Sequence, residues 1–405
     1  MSDFVASYAG LLIALVKVIV VMLVLLTVVA YLSWFERKIV AHIQSRWGPE
    51  RVGPHGLIQP LADGAKFLFK EDPTPAGVDP FVYVFAPFLA LSLAMTTIAV
   101  MPLGPGTLKI FGQTTSFSVA ESNLSLLVVF AISALSVYGV ALGGWASNNK
   151  YSLLGGLRSS AQMLSYELSL TMSVVGIVLV TNTLSLREIV EAQRGTVLGF
   201  LPRWFVFPQI VGFVCFFISA VAETNRSPFD LAEGEQELVG GFHTEYASFK
   251  FAMFFMAEYA AMVTVSFMVS VLFFGGYLSP FPDSPAFHWT FYLPAALALI
   301  GGALLVPHGL RYHTAFGRVL LPVMGVALVG VGIVCAQRGV LGVIQGPFWL
   351  AAKVFVVLFI YVWLRSTFPR IRYDQLMDFG WKFLLPVSLA NVLVTSLVVA
   401  LRMQR

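Results

Sequence analysis

Charged residues are scarce in this sequence: Asp, Glu, Lys and Arg make up 11% of its 405 residues, whereas 58% are hydrophobic. Soluble domains carry about a quarter charged residues, so this composition excludes a soluble globular protein. Only two cysteines occur, Cys215 and Cys335, and both fall in apolar runs. Four-thiolate iron–sulfur and zinc sites are therefore excluded. The cations lie between apolar segments instead of forming one basic surface, which argues against nucleic-acid binding.

Long apolar runs dominate the chain instead. Each is about 17–25 residues long, the length a helix needs to cross the hydrocarbon core of a bilayer. The short alternating segments of an outer-membrane barrel are lacking. The first run has no cleavage-like site after it, which predicts an uncleaved anchor. We therefore predict an all-α polytopic membrane helix bundle with about ten transmembrane helices, forming a single integral membrane domain over 1–405. The ten segments are 11–32, 80–101, 124–146, 159–181, 205–222, 250–274, 291–308, 319–335, 348–365 and 383–401.

The distribution of Lys and Arg predicts the orientation of the bundle. With the N-terminus outside, the cytoplasmic loops hold sixteen of these cations and the outer side holds seven. This favours a multi-pass protein of the bacterial inner membrane with its N-terminus outside. Prolines interrupt segments 291–308 and 319–335. A single crossing there would place Arg365, Arg370 and Arg372 outside, so we expect both segments to cross.

An amphipathic helix is predicted within the cytoplasmic loop 36–72. Its residues Asp63, Lys66 and Lys70 fall on one face, and the opposite face is apolar. This pattern is typical of a helix in the plane of the membrane interface. It could serve only as a surface anchor. The Gly/Pro/Arg-rich stretch before it, however, is expected at membrane depth only where it lines a cavity or contacts a partner. The apolar face comprises Leu57, Ile58, Leu61, Ala65, Leu68 and Phe69.

Two carboxylates, Glu167 and Glu258, occur well inside predicted spans. A charge near the bilayer centre costs about 2.5–3.5 kcal/mol on the insertion scale, so such residues usually face an interior or a water-filled path. For a single isolated carboxylate, a structural ion pair explains the position equally well. A third acidic region bears on this choice.

The stretch "AETNRSPFDLAEGEQELVGGFHTEY", at the start of the acidic loop 222–249, holds six carboxylates and one cation, Arg226. Ser227-Pro228 can begin a helix, which would place Asp230, Glu233 and Glu237 on one stripe. A solvated acidic face is the usual explanation of such a run, but apolar residues interleave this one. Carboxylates leading from a cytoplasmic cavity into the bilayer predict a proton or charge relay. The six are Glu223, Asp230, Glu233, Glu235, Glu237 and Glu245.

This acidic stretch, together with "FFMAEY" (254–259), resembles the membrane subunit that forms the quinone chamber of respiratory complex I. That family comprises the H-type membrane subunit of bacterial NADH:quinone oxidoreductase and its mitochondrial equivalent, NADH dehydrogenase subunit 1. Three further blocks agree with it in order and spacing: "ERKIVAHIQSRWGPERVGPHGLIQPLADGAKFLFKED" (36–72), "SAQMLSYEL" (160–168) and "RIRYDQLMDFGWKFLLP" (370–386). The matching blocks extend from residue 36 to residue 386, which makes the resemblance specific.

The resemblance implies that the first span and the amphipathic helix frame an entrance for a lipid quinone, ubiquinone or menaquinone, as substrate. Flavin and iron–sulfur clusters would lie in partner subunits, and this chain would bind no cofactor alone and hold no catalytic residue. The implied partners are the hydrophilic quinone-site subunits, the antiporter-like membrane subunits and membrane lipids. Implied quinone-binding residues are Arg37, Arg46, Asp63 and Arg226; implied proton-path residues are Glu167, Glu223, Asp230, Glu233, Glu235, Glu237 and Glu258; implied partner-interface residues are Arg370, Arg372 and Asp374.

One segment departs from this family. Residues 279–347 are longer than usual and would add a helix pair to eight core spans, which we expect to be peripheral. A membrane subunit of an energy-converting hydrogenase is the nearest alternative, and a stand-alone cation/proton antiporter is a more distant one. The full amphipathic block and "RYDQLM" favour the quinone-reducing family. No internal repeat of the kind expected in many antiporters is seen.

Overall fold

The described part of the chain is mainly helical. The structure, a computed structural model, describes residues 2–110, 113–197, 201–231, 239–281 and 285–403. Within these ranges two short antiparallel hairpins interrupt the helices: β1 (Thr107–Ile110) with β2 (Gln113–Ser116), and β3 (Thr196–Val197) with β4 (Leu201–Pro202). The α-helices are α1 (Ser2–Ile43), α2 (Gln59–Phe69), α3 (Pro80–Thr96), α4 (Ser125–Ala146), α5 (Lys150–Thr181), α6 (Leu186–Ala192), α7 (Ile210–Glu223), α8 (Ser248–Phe273), α9 (Leu293–Leu310), α10 (Ala315–Cys335), α11 (Arg338–Thr367), α12 (Tyr373–Phe379) and α13 (Leu385–Met403).

Nine helical segments in the described ranges are long and apolar enough to cross a membrane. The predicted all-α polytopic bundle is therefore confirmed. Helix α7 has 14 residues and is shorter than predicted. That α7 nevertheless crosses the membrane follows from counting crossings. Arg226, just beyond α7, contacts Glu36 near the end of α1, so both residues lie on the same side of the membrane and an even number of crossings separates them. Helices α3, α4, α5 and α7 supply four.

The core forms where α3, α4, α5, α7 and α8 pack together. Close approach depends on small residues, as is common between membrane helices. A Cβ atom on Gly139 of α4 would lie 2.7 Å from the Cβ of Ala90 on α3, so a larger residue would force the two helices apart. In contrast, α1 exposes many Leu and Val side chains along its length, as expected for a helix that faces lipid. The buried core thus lies around α8, in which 17 of 26 residues are buried.

The predicted amphipathic helix is present as α2. A Pro in its first turn suits the helix start, because the missing N–H would have no partner there. None of its residues is buried, and its apolar side chains remain uncovered within this chain: Leu61 is 71% exposed, Leu68 67% and Phe69 89%. An apolar face of this kind is suited to the acyl boundary of a bilayer.

Segment 279–347 contributes the hairpin of α9 and α10, so both predicted helices exist. The two helices approach closely at Gly302 and Gly325, since a Cβ atom on Gly302 would lie 2.6 Å from the Gly325 carbonyl oxygen. The main cluster of buried apolar residues includes no member of this hairpin. The hairpin therefore packs on the outside of the core bundle.

The predicted helix starting at Pro228 is wrong in its first turn. Asp230 and Leu231 have no helical structure, because the backbone groups here bond elsewhere. The carbonyl oxygen of Phe229 accepts from Gln162 Nε2 at 2.9 Å, and that of Pro228 accepts from the Ile371 N–H at 3.1 Å. Asp230 therefore cannot begin the predicted acidic stripe. Its other members, Glu233 and Glu237, lie outside the described residues, as does Glu235.

Candidate functional site

A buried cluster of charges lies where α1, α7, α8 and α11 meet. Arg226 is its centre: its Nε lies 2.8 Å from Glu258 Oε1, and its Nη1 lies 3.9 Å from Glu36 Oε1. Arg365, near the end of α11, pairs with the same Glu36 oxygen. The side chains of Arg226 and Glu36 are only 6% and 8% exposed. Removing water strengthens each of these attractions, and it makes the loss of any one partner costly.

Tyr259 completes this cluster from α8. Its hydroxyl donates to Glu36 Oε2 at 2.5 Å, and the Arg226 guanidinium lies over its ring, 4.3 Å from the centroid. Tyr259 therefore contacts both the anion and the cation of one buried pair. A cation over an aromatic face gains about 2 kcal/mol when it is desolvated. We call Glu36, Arg226, Glu258, Tyr259 and Arg365 the arginine cluster.

The chain holds Arg226 in place through the backbone on either side of it. Gln162 of α5 donates to the carbonyl oxygens of Ala222, at 2.8 Å, and Phe229, at 2.9 Å. Asn225 donates to the Ser159 hydroxyl at 2.8 Å. Helix α5 thus fixes the turn that follows α7 and directs Arg226 toward α8.

A cavity of about 640 Å³, which we call the entrance cavity, lies on one side of the arginine cluster. Arg37 and Arg46 are in its wall, together with Glu36 and Arg365. Arg37 pairs with Asp63 of α2 at 2.9 Å, so α2 is attached to the end of α1 beside the cavity. Arg37 and Arg46 thus share the cavity wall, Asp63 is joined to it through Arg37, and Arg226 is not among the lining residues. The residues that line the entrance cavity are Glu36, Arg37, Val40, Gln44, Arg46, Trp47, Gly48, Pro49, Arg365 and Ser366.

An acidic cavity of about 80 Å³ lies on the other side, between α3, α4, α5 and α8. Glu223 and Glu258 both line it, so the predicted carboxylates from α7 and α8 share one space. The Glu223 side chain accepts a hydrogen bond from the Ser133 hydroxyl of α4. His243 also lines this cavity, and burial lowers its pKa to about 4 while the charge of Asp230 opposes the shift. The imidazole is therefore neutral at pH 7.

Glu167 is placed differently from the other predicted carboxylates. Its side chain does not line the acidic cavity, although it lies near enough to Glu223 for the two charges to interact. Its backbone carbonyl accepts from Thr171 Oγ1 at 2.8 Å, within α5. Glu167 is therefore close to Glu223 without sharing the acidic cavity.

The last polar loop divides into an inward and an outward part. Arg370 Nη2 lies 3.2 Å from Asp230 Oδ2, so this predicted interface residue contacts the acidic loop of its own chain. Arg372 pairs with Asp374 at 2.5 Å, and their side chains are 74% and 60% exposed. Only the second pair presents both of its side chains to solvent or to a partner.

Sequence reasoning missed three members of the arginine cluster: Glu36, Tyr259 and Arg365. Glu36 adjoins the apolar run of the first span, and an acid in that position was a usable signal. Tyr259 directly follows Glu258, and nothing in its spacing distinguishes it from a packing residue. Within the described ranges, no group of three or more His, Cys, Asp or Glu side chains is arranged to hold a metal ion.

These features define a class of protein: a multi-pass membrane protein in which buried ion pairs lie between a cationic cavity and an acidic one. The family model described as NADH dehydrogenase matches residues 16–396. The H 1 subunit of NADH-quinone oxidoreductase from Solibacter usitatus is 49% identical over 388 residues, covering 96% of this chain and 97% of the relative. The H 2 subunit from Koribacter versatilis is 47% identical, covering 97% and 98%. The subunit numbered 8 from Rhodothermus marinus is 43% identical, covering 96% and 97%. The chain belongs to the NADH dehydrogenase family of complex I membrane subunits.

Proposed function

We propose that this chain, as a membrane subunit of NADH-quinone oxidoreductase, forms the quinone-binding chamber with the hydrophilic arm and carries an acidic path that couples quinone reduction to proton translocation. The relatives support the complex, because they are named as its subunits over nearly their whole length. The geometry of the arginine cluster supports the role within that complex.

The observation that carries the proposal is the continuity from one cavity to the other. Glu36 lines the entrance cavity and contacts Arg226, and Arg226 contacts Glu258, which lines the acidic cavity. A change of charge in the entrance cavity therefore acts on Glu258 through one buried guanidinium. Coulomb interactions at such distances are several-fold stronger in a protein interior than in water.

The chemistry follows from these groups. A quinone headgroup that accepts two electrons and two protons becomes a quinol, and negative charge develops on its oxygens between the electron and proton steps. Arg37 and Arg46 line the entrance cavity and would attract that charge. Negative charge in the entrance cavity would also act on the Arg226 guanidinium. It would weaken the ion pair between Arg226 and Glu258 and so alter the proton affinity of Glu258. Glu223, Glu167 and the carboxylates Asp230, Glu233, Glu235 and Glu237 extend the proposed path.

The electrons must come from outside this chain, so the partners in the proposal follow from the chemistry. Flavin and iron–sulfur clusters would belong to hydrophilic subunits, and antiporter-like membrane subunits would receive the coupled charge movement. The exposed Arg372 and Asp374 suit an interface with the hydrophilic arm. Arg370, which pairs with Asp230, would hold the same loop in position from its inner side. The distribution of cations supports insertion into the bacterial inner membrane with the N-terminus outside.

Substitution at the entrance tests the proposal. Asp63→Asn removes the partner of Arg37, and Arg46→Ala removes a cation from the cavity wall. Each should lower NADH:quinone reductase activity at least about tenfold in isolated membranes, while NADH oxidation by an artificial hydrophilic acceptor stays intact. Lys66→Gln, an exposed position on the same helix as Asp63, is the matched control. An equal fall in both activities would mean that assembly, not a quinone site, had been damaged.

A further inference from the structure

Two histidines from distant parts of the chain are in direct contact beside the entrance cavity. His55 Nε2 lies 2.9 Å from His308 Nε2, and the rings are stacked with centroids 5.2 Å apart. His55 is in the turn that precedes α2, whereas His308 is in the last turn of α9. At this distance one nitrogen carries the hydrogen and the other accepts it.

The contact is reinforced on both sides. The His55 backbone N–H donates to the Tyr312 hydroxyl at 3.1 Å, and the His55 carbonyl oxygen accepts from Trp34 Nε1 at 3.2 Å. Tyr312 is in turn held by Arg318, whose Nε donates to its carbonyl oxygen at 2.8 Å. His55 has a left-handed backbone with φ of 53°. A residue other than glycine keeps that conformation only where its surroundings impose it.

The turn at His55 connects to both walls of the entrance. Gly56 lies directly against Pro49, since a Cβ atom there would be 2.3 Å from the Pro49 carbonyl oxygen, and Pro49 lines the entrance cavity. On the other side, α2 begins at Gln59 and carries Asp63, the partner of Arg37. A displacement of His55 would therefore move the cavity wall and α2 together.

We propose that the α9–α10 hairpin braces the quinone entrance, with His308 and Tyr312 acting as positioning residues that hold His55 and, through it, the cavity wall. This rests on the proposed function of the entrance. It gives a task to a hairpin that contributes no residue to the main buried cluster. The brace acts through the position of the entrance residues and requires no contact between the hairpin and the quinone.

The chemistry of the brace makes it sensitive to acid. The titratable and charged groups facing His55 are His308 and His313 from the hairpin, Lys38 from α1 and Glu50 from its own loop. Burial lowers the His55 pKa, and His308 and Lys38 lower it further while Glu50 opposes them. The pair keeps its hydrogen bond with no added proton or with one. Two protons place hydrogens on both facing nitrogens, which then repel. Because burial, His308 and Lys38 lower the His55 pKa, this second proton binds only well below the ordinary histidine pKa of about 6.5, and the brace should release there.

Three variants of the intact complex in native membranes test the brace. His308→Leu removes the hydrogen bond at every pH. His308→Gln offers an amide oxygen to the His55 N–H in either protonation state of His55 and cannot itself be protonated. His288→Gln, an exposed position before the opposite end of α9, is the matched control. The quinone KM and kcat are measured between pH 5.5 and 8, and the rate of tryptic cleavage after Arg51 is compared among the variants at pH 7.5, where trypsin is active.

We expect His308→Leu to raise KM about fivefold at pH 7.5, the ratio given by one neutral hydrogen bond, with kcat little changed. The parent KM should begin to rise only toward pH 5.5, the acid end of this range, and His308→Gln should keep a low KM with a flatter pH profile. Tryptic cleavage after Arg51 should be faster in His308→Leu than in the parent or in His308→Gln. Unchanged KM and unchanged cleavage in His308→Leu would overturn the brace. Faster cleavage with unaltered quinone kinetics in both His308→Leu and Arg46→Ala would support the brace and overturn the quinone site instead.

Discussion

Tyr259 donates its hydroxyl to Glu36 at 2.5 Å, across 223 positions of sequence. The bond joins the end of the first membrane helix to the middle of the most buried one. It also connects the two cavities, since Glu36 lines the entrance cavity and Arg226, which lies over the Tyr259 ring, contacts Glu258 of the acidic cavity. One aromatic side chain therefore organises the ion pairs on which the proposed coupling depends.

Tyr259→Phe should separate the hydrogen bond from the ring. The ring stays beneath Arg226, but Glu36 loses a charged hydrogen bond worth about 1.5–3 kcal/mol. We expect quinone reductase activity to fall several-fold while the complex still assembles. Tyr277→Phe is the matched control, because Tyr277, just beyond the C-terminal end of α8, donates to Glu191 at 2.6 Å. It should cost comparable stability in a thermal melt without the loss of activity; equal activity in the two variants would contradict a coupling role for Tyr259.

Glu258→Gln should impair coupling more than catalysis. The amide can still accept from Arg226, but it cannot take up or release a proton. We expect a clear decrease in protons pumped per NADH oxidised, measured by fluorescence quenching in inverted vesicles, with normal levels of assembled complex. Glu188→Gln, an exposed position on α6, should leave the ratio unchanged. A wild-type ratio in Glu258→Gln would exclude Glu258 from the path.

Acid should destabilise the protein through His243. Burial lowers its pKa to about 4 from an ordinary value of 6.5. Between these values the unfolded chain binds a proton that the folded chain refuses, so the free energy of unfolding decreases as pH falls from about 6.5 and levels off below 4. The loss from this group is at most about 3 kcal/mol. Thermal melts of the purified complex from pH 7.5 to 4.5 should show a shallower decline for His243→Asn; an identical decline would assign the acid sensitivity to other groups.

Hydropathy predicted the helices of this protein well. A segment crossing the bilayer must satisfy its own backbone hydrogen bonds, so an apolar run of sufficient length has almost no alternative to a helix. That is why both hairpin helices, α9 and α10, were found despite their prolines. Helix α2 does not cross the bilayer and was identified instead by its amphipathic spacing. Local pattern failed at Asp230, where side chains and backbone from α5 and the last loop replace the expected helical bonds.

By itself, the sequence determined that this is a membrane bundle, where its acids lie along the chain and, by resemblance, which family it joins. Only the tertiary structure decided which charges meet. Glu36, Arg226, Glu258 and Arg365 come from four segments, and His55 and His308 are 253 positions apart. Pairing of this kind depends on how helices pack side by side, and spacing along one helix carries no information about its neighbours. The same low dielectric that forces the helices to form makes a buried charge costly unless a partner from another helix meets it.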